Sequence, residues 1–196
     1  AIAIEDHYKP RFAGDALPRN HTGTVLALAD KLETLIGLFG IGQLPTGDKD
    51  PYALRRHALG VIRILLEKNL PLALPELIAQ SIPVFGDLIN NPTQALLAFM
   101  QDRLTVLLRE QGYTALEVDA VLSLEPPRLG DIPARLAAVR AFTQLPESPS
   151  LAAANKRVCN ILKKASDFSE VLGVNVDKLL EPAEKALYAC IESVAA

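Results

Sequence analysis

The sequence predicts an all-α protein, and three observations lead to this fold class. Apolar residues recur at helical spacing, whereas no segment keeps the alternation of apolar and polar residues that marks a β-strand. Hydrophobic residues make up 49% of the 196 residues and aromatic residues only 5%, a balance that suits packed helices better than sheets. Leucine and alanine dominate, and prolines interrupt the helical pattern at intervals.

The N-terminal part is expected to contain an irregular segment and then two helices. Prolines and glycines within residues 1–24 predict irregular chain or a short helix there. A helix is predicted over residues 25–40. Its predicted apolar stripe consists of Val25, Leu28, Leu32, Leu35, Ile36 and Phe39. Asp50 is expected to cap a second helix over residues 51–69, with Pro51 as its first residue.

Further helices are predicted between proline-containing breaks. Helical spacing of apolar residues predicts them over about residues 75–90 and 92–111. Thr114 and Glu117 have the spacing of a capping box, which predicts the start of the next helix. Asp131 is expected to cap the helix that follows.

Residues 151–165 form the cleanest amphipathic segment of the chain, and a last helix is predicted from Pro182. The polar face of the segment gathers Lys156, Arg157, Asn160, Lys163 and Lys164. No acidic residue occurs within 156–164 to balance these charges. Such a face suits RNA, because Lys and Arg bind phosphates and Asn can bind a base edge. The alternative is an ordinary solvated helix face.

A glycine-rich loop lies between the first two long helices. Gly40, Gly42 and Gly47 occur in it, followed by Lys49. Backbone amides in such a turn can bind phosphate, helped by the N-terminus of the next helix. The loop is not a P-loop, because it lacks the Gly-Lys-Ser/Thr signature. The alternative is a structured connection that needs glycines for its turn geometry.

Three arginines follow this loop. Arg55 and Arg56 come directly after the predicted cap, and Arg63 extends their line along the polar side of the helix. Gly60 is expected to leave the surface between them bare. Together with Lys49 they form a candidate phosphate-binding edge. The alternative is a solvated face whose charges are paired with nearby acids.

A metal site is not expected. Asp30 points away from the apolar stripe of its helix and is the one weak candidate ligand. A divalent metal needs several convergent His or carboxylate ligands, but His7, His21 and His57 are isolated in the sequence.

Composition bears on other function classes. The net charge is −3, so a nucleic-acid surface requires local clustering of basic residues. No apolar run reaches about 18 residues, which argues against a membrane span. No serine or cysteine nucleophile motif occurs, and Cys159 and Cys190 are expected to be reduced, structural thiols of a cytoplasmic protein. The first residue is not Met, and the last residues continue a helical pattern, so we interpret the chain as a piece of a longer polypeptide.

Several strings in the sequence resemble one family. HYKPRFAGDALP at 7–18, the segment that contains PTGDKDPYALRR at 45–56, and AAANKRVCNILKKA at 152–165 resemble the β subunit of bacterial glycyl-tRNA synthetase in order and spacing. ANKRVCNIL at 154–162 also resembles the helical anticodon-binding domain of arginyl-tRNA synthetase.

The resemblance implies an architecture and a role. Residues 1–72 would be the C-terminal part of a helical HD-like domain, in which Asp30 matches the last acidic position of the HD pattern. Residues 73–196 would be the first part of a helical-bundle anticodon-binding domain. The basic face at 156–164 would then approach the anticodon arm, and Arg55, Arg56 and Arg63 would meet the tRNA body or acceptor arm.

The resemblance also implies partners. The family's enzyme contains two α and two β subunits, and the α subunit activates glycine with ATP and Mg²⁺. The chain would therefore bind tRNA-Gly, an α subunit and a second β subunit, and would hold no cofactor of its own. Two alternatives remain: a remnant of an HD-type metal phosphohydrolase, or a subunit-interaction module without RNA affinity.

Overall fold

The computed structural model describes residues 2–164 and 174–195, and within these ranges the chain is helical without a β-sheet. The predicted all-α fold class is confirmed. The α-helices are α1 (Ile2–Asp6), α2 (His21–Gly40), α3 (Leu54–Glu67), α4 (Leu74–Ser81), α5 (Thr93–Glu110), α6 (Ala115–Leu122), α7 (Ile132–Thr143), α8 (Ser148–Lys164) and α9 (Pro182–Ala195). Short 3₁₀ helices occupy Ile82–Leu88, Leu129–Asp131 and Val176–Lys178. No described helix combines the length and apolarity needed to cross a bilayer.

The chain divides into two compact units, Ala1–Leu145 and Pro146–Ala196. In the first unit α3 packs against both α2 and α5, and their apolar faces form one continuous core. The sequence-based boundary at residue 72 therefore separates helices that share a core, because α3 precedes that residue and α5 follows it. The assignment of residues 1–72 and 73–196 to two family domains stays a prediction.

Helix α2 begins earlier than the sequence predicts. Asn20 is its N-cap, and its side chain accepts a 2.8 Å hydrogen bond from the backbone N–H of Gly23. Val25 consequently lies in the first turns, where Gly23 and Thr24 form the buried side of the helix. The predicted burial of Val25 is wrong, since the residue is 64% exposed, but Leu28 and the later stripe residues are buried.

Helix α3 begins at Leu54, three residues later than predicted. Asp50 still caps it, because its carboxylate accepts hydrogen bonds from the backbone N–H groups of Leu54 at 2.8 Å and Arg55 at 3.0 Å. Ala53 adopts a left-handed conformation with φ of 55°, which reverses the chain between the capping carboxylate and the helix. Pro51 therefore lies in the preceding turn and not in the helix.

The later helices agree with the sequence except at two points. The predicted capping box of α6 is present, with Thr114 and Glu117 each bonded to the other's backbone N–H. The helix predicted over 75–90 becomes α4 and a 3₁₀ segment kinked at Gly86, whose φ is 55°. Asp131 makes no capping bond to α7, because it belongs to a 3₁₀ turn and has helical backbone angles.

Candidate nucleic-acid interface

The polar face of α8 carries the basic cluster that the sequence predicts. Lys156, Arg157, Asn160 and Lys163 are all exposed. At 100° per residue they cover an arc of about 120° on the helix. No carboxylate in the described part of their unit pairs with them. The side chain of Lys164 lies outside the described residues.

The opposite face of α8 is apolar and also exposed. Leu151, Val158, Ile161 and Leu162 are 53–58% exposed. In the same unit Leu187 and Ile191 of α9 are 63% and 54% exposed. The described residues of this unit therefore contribute nothing to the buried apolar core, which lies in the first unit. Cys159 and Cys190 are free thiols, but both are exposed. The prediction that they are structural residues packed inside the protein is therefore wrong.

The glycine-rich loop is a structured connection. Thr46 and Lys49 exchange backbone hydrogen bonds of 3.1 and 2.8 Å around Gly47, whose φ of 50° favours glycine. The carboxylate of Asp50 already accepts from two amides at the N-terminus of α3. Four amides of this turn and of the start of α3 are thus engaged within the protein, which favours the second interpretation of the loop.

The four basic residues of the predicted edge have different surroundings. Lys49 and Arg56 are exposed. Arg55 is half-buried, and its guanidinium donates to the carbonyl oxygen of Gly47. Arg63 is only 9% exposed. Its Nε donates to Glu67 at 2.6 Å, and its Nη1 donates to the carbonyl oxygen of Asp15 at 2.9 Å. Including Arg63 in a displayed basic edge is therefore wrong, because it is buried and paired.

Gly60 is also not a bare surface. It is buried, and a Cβ atom built on it would lie 2.8 Å from Cε of Lys31. The lysine side chain thus crosses α3 where only glycine leaves room for it. Lys31 itself is 3% exposed, and its Nζ donates a 3.0 Å hydrogen bond to the carbonyl oxygen of His7. Burial lowers the pKa of Lys31, although the charge of Asp30 partly opposes this shift.

Lys31 lines a pocket of about 170 Å³ in the first unit. We name it the Lys31 pocket, and its polar and aromatic lining consists of Tyr8, Arg11, Asp30, Lys31, Arg56 and His57. Burial, and secondarily the charge of Lys31, lowers the pKa of His57. A larger cavity of about 340 Å³ elsewhere in the unit is mainly apolar.

Asp30 lies at this pocket and has no companions for metal binding. No group of three or more His, Cys, Asp and Glu side chains converges anywhere in residues 2–164 or 174–195. Its nearest charged neighbours in the pocket are cations, which repel a metal ion.

The sequence patterns did not indicate that Lys31, Arg11 and His57 lie at one pocket. One signal was present for Lys31, which lies between Leu28 and Leu35 at the spacing of core residues. A lysine at such a position must either leave the core or find a polar setting. Arg11 and His57 are brought to the pocket by tertiary packing, which the spacing of residues in the sequence does not indicate.

The first of the two compact units resembles known proteins in sequence. Residues 1–123 match the family model described as "Glycyl-tRNA synthetase beta subunit". The chain belongs to this family. The match includes α2, the glycine-rich loop and α3, and thus the whole Lys31 pocket.

Relatives extend the similarity over nearly the full chain. The glycine–tRNA ligase β subunit of Leptothrix cholodnii is 71% identical over 194 residues, which are 99% of this chain and 27% of that protein. The β subunits of Polaromonas naphthalenivorans and Acidovorax sp. (strain JS42) are 66% and 65% identical over 99% and 98% of this chain, covering 27% and 26% of their own lengths. The chain thus spans about a quarter of the length of these relatives.

Proposed function

We propose that this chain is a tRNA-binding part of a glycine–tRNA ligase β subunit. The single observation that supports it best is the exposed basic face of α8, whose charges have no acidic partner in the described part of their unit. Membership of the β-subunit family supplies the substrate class, because each relative named above is a glycine–tRNA ligase subunit.

The proposed role is positional. Lys156, Arg157 and Lys163 contact phosphates of the tRNA backbone, which gives affinity without sequence information. Asn160 can both donate and accept, and so can bind the edge of an unstacked base. Holding tRNA-Gly in one orientation raises the effective concentration of its 3′ end at the aminoacylation site.

The first unit adds a smaller basic surface to this proposal. Lys49 and Arg56 are exposed, and Arg55 is available in part. Arg63 is not included, because its hydrogen bonds are made within the fold. We assign these residues to backbone contacts outside the anticodon arm.

The remaining partners follow from the same proposal. ATP and Mg²⁺ are used by a separate α subunit, and the β subunit joins it in a heterotetramer with a second β subunit. Such an assembly works in the cytoplasm, where tRNA is charged.

The test is binding of transcribed tRNA-Gly by the 196-residue chain at a series of salt concentrations. Lys156→Ala and Arg157→Ala should each weaken binding and reduce the salt slope by about one. Lys185→Ala is the matched control, because it removes a charge that is also exposed but lies on α9. An unchanged salt slope in both α8 variants contradicts the proposed contacts.

A subunit-interaction role is the second candidate. The exposed apolar face of α8 favours it, since several large aliphatic side chains there are more than half exposed. Sedimentation velocity separates the two: this candidate expects self-association or binding to the α subunit that Ile161→Asp abolishes, with no tRNA affinity.

A further inference from the structure

The Lys31 pocket contains a buried cation without a counter-charge bonded to it. The Nζ atom of Lys31 has three N–H donors, and the structure gives it a single hydrogen bond, to the carbonyl oxygen of His7 at 3.0 Å. Asp30 is adjacent, but no carboxylate lies within ion-pair distance of Nζ in the described part of the chain. A lysine that is 97% buried is costly to leave charged unless an anion or further acceptors complete its bonding.

Two further polar groups at the pocket lack partners. Nδ1 of His57 is buried and has no hydrogen-bond partner among the described residues. The guanidinium of Arg56 is exposed and makes no side-chain hydrogen bond or ion pair within them. Buried polar atoms are normally hydrogen-bonded, so Nδ1 of His57 marks a site whose bonding is incomplete, and the exposed guanidinium of Arg56 is available to a ligand.

The position of Lys31 depends on Gly60. The lysine stem passes so close to α3 that a Cβ atom on Gly60 would fall 2.8 Å from Cε and 2.9 Å from Cδ. Hydrogen bonding to His7 then fixes the ammonium group at the pocket wall. A long, flexible side chain is thus held in one place, which is the pre-organisation that ligand binding needs.

The charges around the pocket favour an anion. Arg11, Lys31 and Arg56 are cationic, whereas Asp30 is the one acid in the lining. Asp15 already neutralises Arg11 through hydrogen bonds of 2.9 and 3.3 Å. Lys31 and Arg56 remain to bind the ligand, and Asp30 can accept a hydrogen bond from a hydroxyl group on it.

We propose that the Lys31 pocket binds the phosphoryl group of a ribonucleotide, with Lys31 and Arg56 on the phosphate oxygens and Asp30 on a ribose hydroxyl. The volume of about 170 Å³ lies below that of ordinary small-molecule sites, so the pocket encloses the phosphate and part of the sugar and leaves the base outside. The phosphoryl group comes either from a free nucleotide or from an RNA chain. The proposal does not require the basic face of α8.

The test is calorimetric titration of the 196-residue chain with inorganic phosphate, AMP, adenosine, and a trimeric RNA. AMP is expected to bind and adenosine is not. Saturable binding of AMP that is tighter than that of inorganic phosphate identifies a free nucleotide as the source, and binding of the trimer alone identifies RNA if Gly60→Ala or Lys31→Met weakens it. Absence of binding by every phosphorylated ligand, or equal binding of AMP and adenosine, overturns the proposal.

Variants assign the binding to this pocket. Lys31→Met and Arg56→Gln should each weaken binding at least about tenfold, as expected for the loss of a hydrogen bond to a charged group. Lys68→Met, which removes a charge from the C-terminal end of α3 outside the pocket, should leave the affinity unchanged. If Lys31→Met does not fold, the exposed Arg56→Gln and the steric variant Gly60→Ala decide the question. Unchanged affinity in Arg56→Gln overturns the proposal.

Arg56 belongs to both proposals, but the outcome at Lys31 is separable from that of the tRNA contacts of α8. The α8 variants leave the pocket intact, so loss of tRNA binding in those variants says nothing about AMP. Conversely, Lys31→Met changes the pocket without touching the basic face of α8.

Discussion

Nη1 of Arg63 donates a 2.9 Å hydrogen bond to the backbone carbonyl oxygen of Asp15, which lies 48 residues earlier in the chain. The same guanidinium donates through Nε to Glu67 at 2.6 Å. The bond to Asp15 fastens the segment before α2 to the middle of α3, and the side chain of Arg63 is only 11% exposed. The charge of Arg63 is thus paired within the fold and does not contribute to a basic surface.

Arg63→Ala should lower the free energy of unfolding by about 3 kcal/mol, because it leaves a carbonyl and a carboxylate without their partner. Urea unfolding followed by circular dichroism measures this change. Arg56→Ala is the control: the residue is exposed in the same helix, and we expect a change within about 0.5 kcal/mol. Equal destabilisation by both variants would contradict the conclusion that Arg63 stabilises the fold and that exposed Arg56 does not.

Acid should destabilise the contact between α6 and α7. Nε of Arg140 donates to Glu117 at 2.6 Å, and this bond, with those from Thr114, lowers the pKa of Glu117 from 4.5 to about 2. Because the pKa is lowered on folding, the stabilisation is present above the unfolded value and is lost as the pH falls from about 4.5 towards 2.

Thermal unfolding between pH 7 and pH 2 tests this dependence. Glu117→Gln should lower the melting temperature at pH 7 and flatten its decline in acid. Asp6 and Asp15 also have lowered pKa values, chiefly through hydrogen bonds from Arg19 and Arg11, so part of the slope should remain. Glu76→Gln, which changes an exposed carboxylate, should retain the parent slope.

Two glycines of α2 should differ in their tolerance of alanine. A Cβ atom on Gly40 would lie 2.6 Å from Cβ of Ile89 and 3.1 Å from the carbonyl oxygen of Asn90, where backbone atoms leave little freedom to move. We expect Gly40→Ala to cost about 2 kcal/mol of unfolding free energy. At Gly37 the nearest atom belongs to the ring of Phe85, at 3.1 Å, which can shift.

Gly37→Ala should therefore be neutral within about 1 kcal/mol, since the gain in helix propensity offsets a small displacement of the ring. Chemical unfolding of both variants supplies the comparison. Greater damage at position 37 than at position 40 would refute the packing argument.

The free thiols offer a probe of the proposed RNA surface. Cys159 and Cys190 are exposed, so both should react with a thiol reagent in the native protein. Bound tRNA-Gly should slow the reaction of Cys159, which lies in α8 between Arg157 and Asn160 in sequence, more than that of Cys190 in α9. Mass spectrometry quantifies the two rates, and equal protection of the two thiols would argue against binding at the basic face.

Helical periodicity and turn chemistry predicted most of the fold. The capping box at Thr114 and the buried stripe of α2 from Leu28 onward follow from local spacing, and the structure contains both. The errors at Pro51 and Asp131 have a shared cause. An acidic residue before a helix signals a cap, but the local backbone angles decide the outcome: left-handed Ala53 places Pro51 outside α3, and the helical angles of Asp131 leave α7 without its cap.

Long-range packing decided what the sequence could not show. Arg63 is on the polar side of its helix by spacing, yet the segment that carries Asp15 covers it. The sequence predicts that Gly60 lies on an open surface, but in the structure the side chain of Lys31 packs against it. The basic face of α8 was visible in advance because its members are neighbours on one helix and need no tertiary contact to lie together.

The core shared by α2, α3 and α5 has a practical consequence for anyone who wishes to express part of this chain. A cut near residue 72 would expose core isoleucine and leucine side chains of each half to water, and both products should precipitate or be degraded. A cut after Leu145 separates the two compact units and is the better choice for subcloning.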